Sequence, residues 1–371
     1  MRSLETTAGG SPSIKGAART SDRGALARPI AGAATPATGP GPEEQLLRLV
    51  TGYWVSAAIH AAAKLGLADR LARGPQTVAE LARQTQTDDR SLYRLLRALA
   101  SVGVFAEQDE GVFGMTPMAE LLRRDRPESM WAFTVMAGDE HYEAYGHLLH
   151  SVRTGQPAFE KLHGQPVFPW LQKHPEQAAI FDAAMTGIHG RETEAMLQAY
   201  DFSGIGVLAD VGGGNGGLLR AVLRQYPRLR GLLCDLPEVV DRARDPMGAA
   251  GLGERCRLAA VDFFSAVPAG ADAYLLRHVL HDWEDERAVQ ILRNVRQACD
   301  ARARVLVVET VIRPGNEPSF GKLLDLTMLV LPGGRERTQE EYRRLLAAAG
   351  FSLTQIVSTP VETSVIEGRP V

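Results

Sequence analysis

The feature that most constrains this chain begins near Ser203, where short runs of aliphatic and β-branched residues start to alternate with helical patterns. Such alternation marks a parallel α/β sheet, because parallel strands need long crossovers and the crossovers cover both faces. Five strands are expected, over 205–211, 229–234, 257–261, 273–276 and 304–308. The first runs into Gly212-Gly213-Gly214-Asn215-Gly216-Gly217 and the second ends at Asp235. The third ends at Asp262-Phe263-Phe264, the fourth meets Arg277-His278-Val279-Leu280-His281-Asp282-Trp283, and the fifth ends at Glu309. Every polar group thus falls at the carboxyl end of a strand, where open α/β sheets bind their ligands.

The residue types narrow the ligand. A glycine turn lets backbone approach a ligand that a Cβ would keep away. An acid at the end of the second strand suits two vicinal ribose hydroxyls, and Asp262 with Phe263 suits an adenine amino group and face. Gly212, Gly214 and Gly217 also satisfy the dinucleotide pattern, which keeps a nicotinamide-dependent oxidoreductase open. No partner for a pyrophosphate stands nearby, so a nucleoside cofactor without phosphates, such as S-adenosylmethionine, fits better.

Upstream, 30 of the first 42 residues are Ala, Gly, Pro, Ser or Thr, with no aromatic among them. That stretch cannot bury enough surface to offset its ordering entropy, and disorder is expected over 1–42. A wide apolar helix follows over 43–64, and Thr77 with Glu80 has capping-box spacing. A second helix over 89–101 carries Leu92, Leu95, Leu96 and Leu99, and a hairpin is expected across Gln108–Gly111. Helix, turn, helix and hairpin make a winged-helix shape over 43–118. Arg90, Arg94 and Arg97 on its second helix keep a small-molecule-sensing DNA-binding regulator open. The acidic hairpin tip and the broad apolar first helix favour pairing of two protomers instead.

Across the 371 residues the net charge is −3, which gives no overall pull toward nucleic acid or an anionic membrane. No apolar run reaches the ~18 residues that span a bilayer, and no signal-peptide core follows Met1. Cys234, Cys256 and Cys299 are scattered without Cys-x-x-Cys pairing, as expected for reduced thiols in a cytoplasmic protein.

Five motifs in order carry a resemblance. They are Asp210-Val-Gly-Gly-Gly-Asn-Gly216, Cys234-Asp-Leu-Pro237, Val261-Asp-Phe-Phe264, Leu280-His-Asp-Trp283 and Gly333-Gly-Arg-Glu-Arg-Thr338. With them, residues 43–371 resemble the plant caffeic-acid-type and bacterial natural-product O-methyltransferases. The resemblance implies a Rossmann-like class I methyltransferase sheet at 201–371, a helical bridge at 119–200, and an all-helical winged-helix dimerisation domain at 43–118. It implies a homodimer that binds S-adenosylmethionine, with Gly212, Gly213 and Gly214 at the methionine part, Asp235 at the ribose, and Asp262 and Phe263 at adenine. Arg277 stands where many members have Lys and is expected at the cofactor carboxylate. His281 matches the general base, with Glu309 and Glu336 as the two acids that flank and orient its ring. Phe181, Met185 and Met328 match residues that line a small aromatic or polyketide-like acceptor.

Chemistry supports the base independently. A phenol titrates near 10 and an imidazole near about 6.5, so a positioned neutral His can take the proton as the oxygen attacks. A carboxylate on the other ring nitrogen fixes the tautomer. His278 lies three residues from His281, but no third or fourth ligand stands beside it in sequence, and no metal is expected. Thr338 and Glu341 have capping-box spacing, and Arg335 and Arg337 read as solvated charges.

Overall fold

The computed structural model describes residues 40–371, so most of the segment expected to be disordered, 1–39, lies outside the described residues. The described chain forms two units, divided after Val50. The first contributes one helix, Pro42–Val50, with Arg48 paired to Glu44 one turn back. The single helix expected over 43–64 is therefore two helices, the second spanning Gly52–Lys64. Thr51 and Gly52 explain the interruption, since a β-branched residue and a glycine are both poor helix formers.

The second unit opens with helices Gly52–Lys64, Leu67–Leu71, Val78–Thr85 and Asp89–Ser101. Thr77 and Glu80 form the expected capping box. Leu67, Leu71, Leu81, Leu92, Leu96 and Leu99 form one core with Phe105 and Phe113. This region is not all-helical. Strands β1 (Gln76–Thr77), β2 (Phe105–Asp109) and β3 (Val112–Met115) make a sheet in the order β1-β3-β2, turned at Gly111 with φ 73°. The hairpin read from sequence needs only local contacts, whereas β1 joins it through Gln76↔Phe113, a pairing that no local pattern announces.

The larger sheet holds β4 (Val207–Val211), β5 (Arg230–Asp235), β6 (Cys256–Ala260), β7 (Ala273–Arg277), β8 (Arg304–Ile312), β10 (Phe351–Ser358) and β11 (Thr363–Pro370), in the order β10-β11-β8-β7-β4-β5-β6. The five strands expected from sequence pair in parallel, while β11 runs antiparallel to β8 and β10 antiparallel to β11. The short β9 (Arg337–Thr338) pairs with the end of β8, which extends past its expected limit to reach it.

Alternate residues of each strand enter two cores. Ala209, Leu232, Tyr274, Leu276, Val305 and Val307 face one layer of helices. Leu208, Leu233, Leu275, Leu306 and Val308 face the other. Burial on both faces is why these strands read as continuous apolar runs. Strand order reverses at β4, between β5 and β7, and the loops after these strands therefore open onto one crevice.

Between these regions, 131–199 forms six helices, of which Pro175–Ala199 is the longest. It packs on Trp131–Gly138 and reaches Gly217–Gln225 behind the glycine turn. No helix among the described residues is long and apolar enough to cross a membrane.

Candidate active site

The glycine turn leaves β4 under tight steric control. A Cβ at Gly213 would lie 2.4 Å from Leu233 Cδ1, and one at Gly212, where φ is 71°, would lie 2.8 Å from Val279 Cγ2. Gly214 differs: φ is 58°, and nothing stands within 4 Å of a Cβ there. Two glycines thus let the turn close against the sheet, and the third leaves a cradle open. The Gly214 amide donates to Asp235 Oδ2 at 2.8 Å, and the Leu236 amide donates to Oδ1. Burial raises the Asp235 carboxyl above its ordinary range, against those two hydrogen bonds.

Asp210, at the end of β4, is 2% exposed, and its Oδ2 has no partner. Burial pushes its carboxyl up to about 7, and Arg277 pulls the other way. The Arg277 guanidinium donates to Thr193 Oγ1 at 2.8 Å. An open cradle, an unpartnered buried carboxyl and a sheltered cation fit the amino-acid end of S-adenosylmethionine. Phe263 lies beside Gly212, since a Cβ on that glycine would be 3.6 Å from its ring. Asp262 is exposed; its Oδ1 accepts from the Phe264 amide and its Oδ2 from Ser265 Oγ.

After β7 the chain makes a short 3-10 turn, Leu280–Asp282. His281 is buried within it, and its Nδ1 meets Glu336 Oε1 at 2.7 Å. Asp282 Oδ1 lies 3.6 Å from Nε2. Burial opposes charge on this ring, but Asp282, the Glu336 hydrogen bond and Glu309 outweigh it and hold His281 up at about 10. The surroundings therefore stabilise the charged form of this ring.

Only one of the two expected flanking acids reaches the ring. Glu309 is fully buried, and its Oε1 accepts from the amides of Val279, Leu280 and His281 at 3.2, 2.7 and 3.2 Å. Its Oε2 accepts from the Tyr342 hydroxyl at 2.6 Å. The carboxylate holds the main chain of the turn, because β8 brings it beneath the amides rather than beside the imidazole.

His278 has partners that the sequence does not announce. Its backbone is left-handed, with φ 51°, and its Nε2 hydrogen-bonds Glu192 Oε2 at 2.8 Å. His189 lies one turn before Glu192 on the long helix, so three ligand-type groups converge where sequence showed none. The His189 and His278 rings stack 4.6 Å apart at 11°. This is a hydrogen-bonded network that ties the long helix to β7.

The residues expected at the acceptor come from two helices. Phe181 on the long helix packs against two apolar clusters, Met185 against one of them, and Met328 is buried on helix Phe320–Val330. Tyr145 bonds Thr327 at 2.6 Å, beside Met328. Phe168 meets Phe181 edge-on at 6.4 Å and stacks on Trp283 at 6.0 Å, so the aromatic wall continues to the residue two beyond His281. Trp283 and Asp282 lie within the Leu280–Trp283 motif, which by itself gives neither a task. His141 carries no sequence signal: its side chain has no hydrogen-bond partner among the described residues, and burial brings its imidazole down to about 4, neutral at physiological pH.

Comparison with known proteins agrees with this architecture. An O-methyltransferase domain model matches residues 145–352, and an O-methyltransferase dimerisation domain model matches 47–125. The phenazine O-methyltransferase PhzM of Lysobacter antibioticus is 46% identical over 88% of this chain and 96% of its own length. The O-demethylpuromycin-O-methyltransferase of Streptomyces alboniger is 40% identical over 89% of this chain and 90% of its own. The crystal structure of LaPhzM superposes with a TM-score of 0.87 at 45% identity, covering 90% of this chain and all of that one. The chain thus belongs to the family of S-adenosylmethionine-dependent O-methyltransferases, with a dimerisation domain ahead of the methyltransferase domain.

Proposed function

We propose that this enzyme methylates a hydroxyl of a flat, multi-ring aromatic acceptor, a hydroxyphenazine or a chemically similar polyketide-like ring system, with His281 as general base. The 2.7 Å contact of His281 Nδ1 with buried Glu336 carries the reading. It leaves Nε2 to face the acceptor oxygen and stabilises the charge that His281 gains. S-adenosylmethionine supplies an electrophilic methyl on a sulfonium. Gly212, Gly213, Gly214 and Arg277 would hold its amino-acid end, Asp235 its ribose, and Asp262 with Phe263 its adenine. The chain's own work is then to align the acceptor oxygen, accept its proton and keep bulk water from the turn.

Phe181, Met185 and Met328 supply apolar walls for the acceptor, extended by Phe168 and Trp283. His141 shares a helix face with Ala144 and with Tyr145, whose hydroxyl bonds Thr327 beside Met328, and would offer a neutral polar contact at that end. The protein acts as a cytoplasmic homodimer without nucleic acid: its three cysteines are unpaired, and Arg97 folds over Tyr93 at 5.4 Å.

Calorimetry with S-adenosylhomocysteine, followed by assay with 1-hydroxyphenazine and hydroxynaphthoates, tests the proposal. Binding of the nucleoside and formation of a methyl ether on one of these acceptors are expected. Cofactor binding with methyl transfer to nitrogen or carbon alone would sink the acceptor class.

A further inference from the structure

Arg337 is the largest side chain among those described that is fully buried, although its charge reads from sequence as solvated. Burying a guanidinium is costly unless its donors are satisfied, so its partners show what the cost sustains. Nη1 donates to the carbonyls of Leu280 and Arg335 at 3.0 and 3.3 Å, and Nη2 to the carbonyl of Trp283 at 2.8 Å. Nε donates to Asp285 Oδ1 at 2.9 Å. Asp285 is the one carboxylate in this set, and its side chain is 55% exposed.

The two carbonyls from the turn bracket His281 and Asp282. Glu309 collects the amides of the same turn from the other side, so an anion takes its N–H groups and a cation takes its C=O groups. A third contact closes the set: the Arg335 amide donates to the His281 carbonyl at 2.8 Å. Gly334 permits this approach, because a Cβ there would fall 2.0 Å from that oxygen. Glu336, which holds the ring, is the chain neighbour of Arg337, and β9 anchors Arg337 to β8 through Val311. One three-residue segment therefore grips the main chain on both sides of His281 and its imidazole as well.

We infer that Arg337 is a positioning residue for this reaction: its forked donors on Leu280 and Trp283 set the turn so that His281 Nδ1 rests on Glu336 and Nε2 faces the acceptor. The inference rests on the reading of His281 as base. A guanidinium suits the task because it spans two carbonyls at once in a fixed plane, whereas an ammonium is a single point. Lysine at this position keeps the charge and loses the fork.

The test compares R337K with wild type in the full-length protein, with H281A as reference. S-adenosylhomocysteine affinity is expected to stay within about threefold, because none of the contacted groups belongs to the cofactor cradle. With 1-hydroxyphenazine, or whichever acceptor turns over, kcat should fall roughly 100-fold, the scale of a misplaced reacting group. The pH limb should move as the ring leaves Glu336, and the low-field proton of the His281–Glu336 bond should shift or vanish in the NMR spectrum. In R337A, added guanidinium should restore part of the turnover, which a packing role would not allow. Folded R337K with unchanged kcat and an unchanged low-field proton would overturn the inference, as would a loss of kcat with that proton unmoved. If H281A turns over like wild type, the base reading fails separately, while the proton still reports whether Arg337 positions the ring.

Discussion

The turn that carries His281 and the helix that carries Phe181 and Met185 are bridged by Phe168, which meets both Trp283 and Phe181, and are built by opposite means. Around the turn, buried charges fix nearly every backbone group: three amides go to Glu309, and carbonyls go to Arg337 and to the Arg335 amide. Such groups have one satisfying arrangement, and losing a partner leaves a buried polar atom unpaired. The proposed acceptor wall is apolar and partly buried, made of Phe181, Met185 and aromatic edges that tolerate a change of shape. The turn that carries His281 is thus held rigid, while the face that carries Phe181 and Met185 is left adjustable. That combination suits a family whose members act on different ring systems.

Substitutions can break this contrast in order of expected effect. Replacing His281 with Ala should lower kcat roughly 10²- to 10⁴-fold with S-adenosylhomocysteine affinity intact, measured by steady-state assay and calorimetry. Unchanged turnover would reject the base. G334A should follow at about 100-fold, because backbone atoms of the turn occupy the space its methyl needs. A crystal structure of G334A showing the turn unmoved would contradict the rigid half of the comparison.

E336Q sharpens the electrostatic part. His281 is held up at about 10 by its carboxylates, so removing one charge lowers it, and neutral imidazole is populated at lower pH. The rising limb of the pH–kcat profile should move to lower pH while kcat itself falls about 10-fold or more, since the base is weaker. A limb that stays in place would mean that another group titrates.

On the adjustable side the effects should be smaller and should fall on KM. F181L removes an aromatic edge and should raise the acceptor KM by several-fold, with kcat within about threefold; a kcat effect as large as that of G334A would show that the wall is as rigid as the turn. H141F should be the mildest with apolar acceptors and selective against acceptors with a distal polar group, tested by comparing 1-hydroxyphenazine with its carboxamide.

Much of this was legible in the chain. The strand pattern marks five parallel strands, and the polar groups at their carboxyl ends include Asp235, His281 and Glu309. Gly333 to Thr338 drew attention to Glu336 by motif position. Less legible was what each group touches. Glu309 was expected at the imidazole and instead holds amides, a difference that depends on how far β8 extends beneath the turn. Arg337 read as solvated because charge usually is, and its burial follows from β9 pairing with β8 across 26 residues of chain. His189 and Glu192 carried no signal, since they meet His278 only when the long helix docks.

The sequence by itself determined the periodicities and turns: which segments are strands, where glycine must sit, and which helix ends are capped. These rest on neighbours within a few residues, and local sterics and hydrogen bonding decide them. Tertiary structure alone decided the pairing of distant polar groups. A buried charge takes whichever partner the packed elements bring within about 3 Å, and that choice is settled by how sheet and helices stack rather than by the residues beside it in the chain.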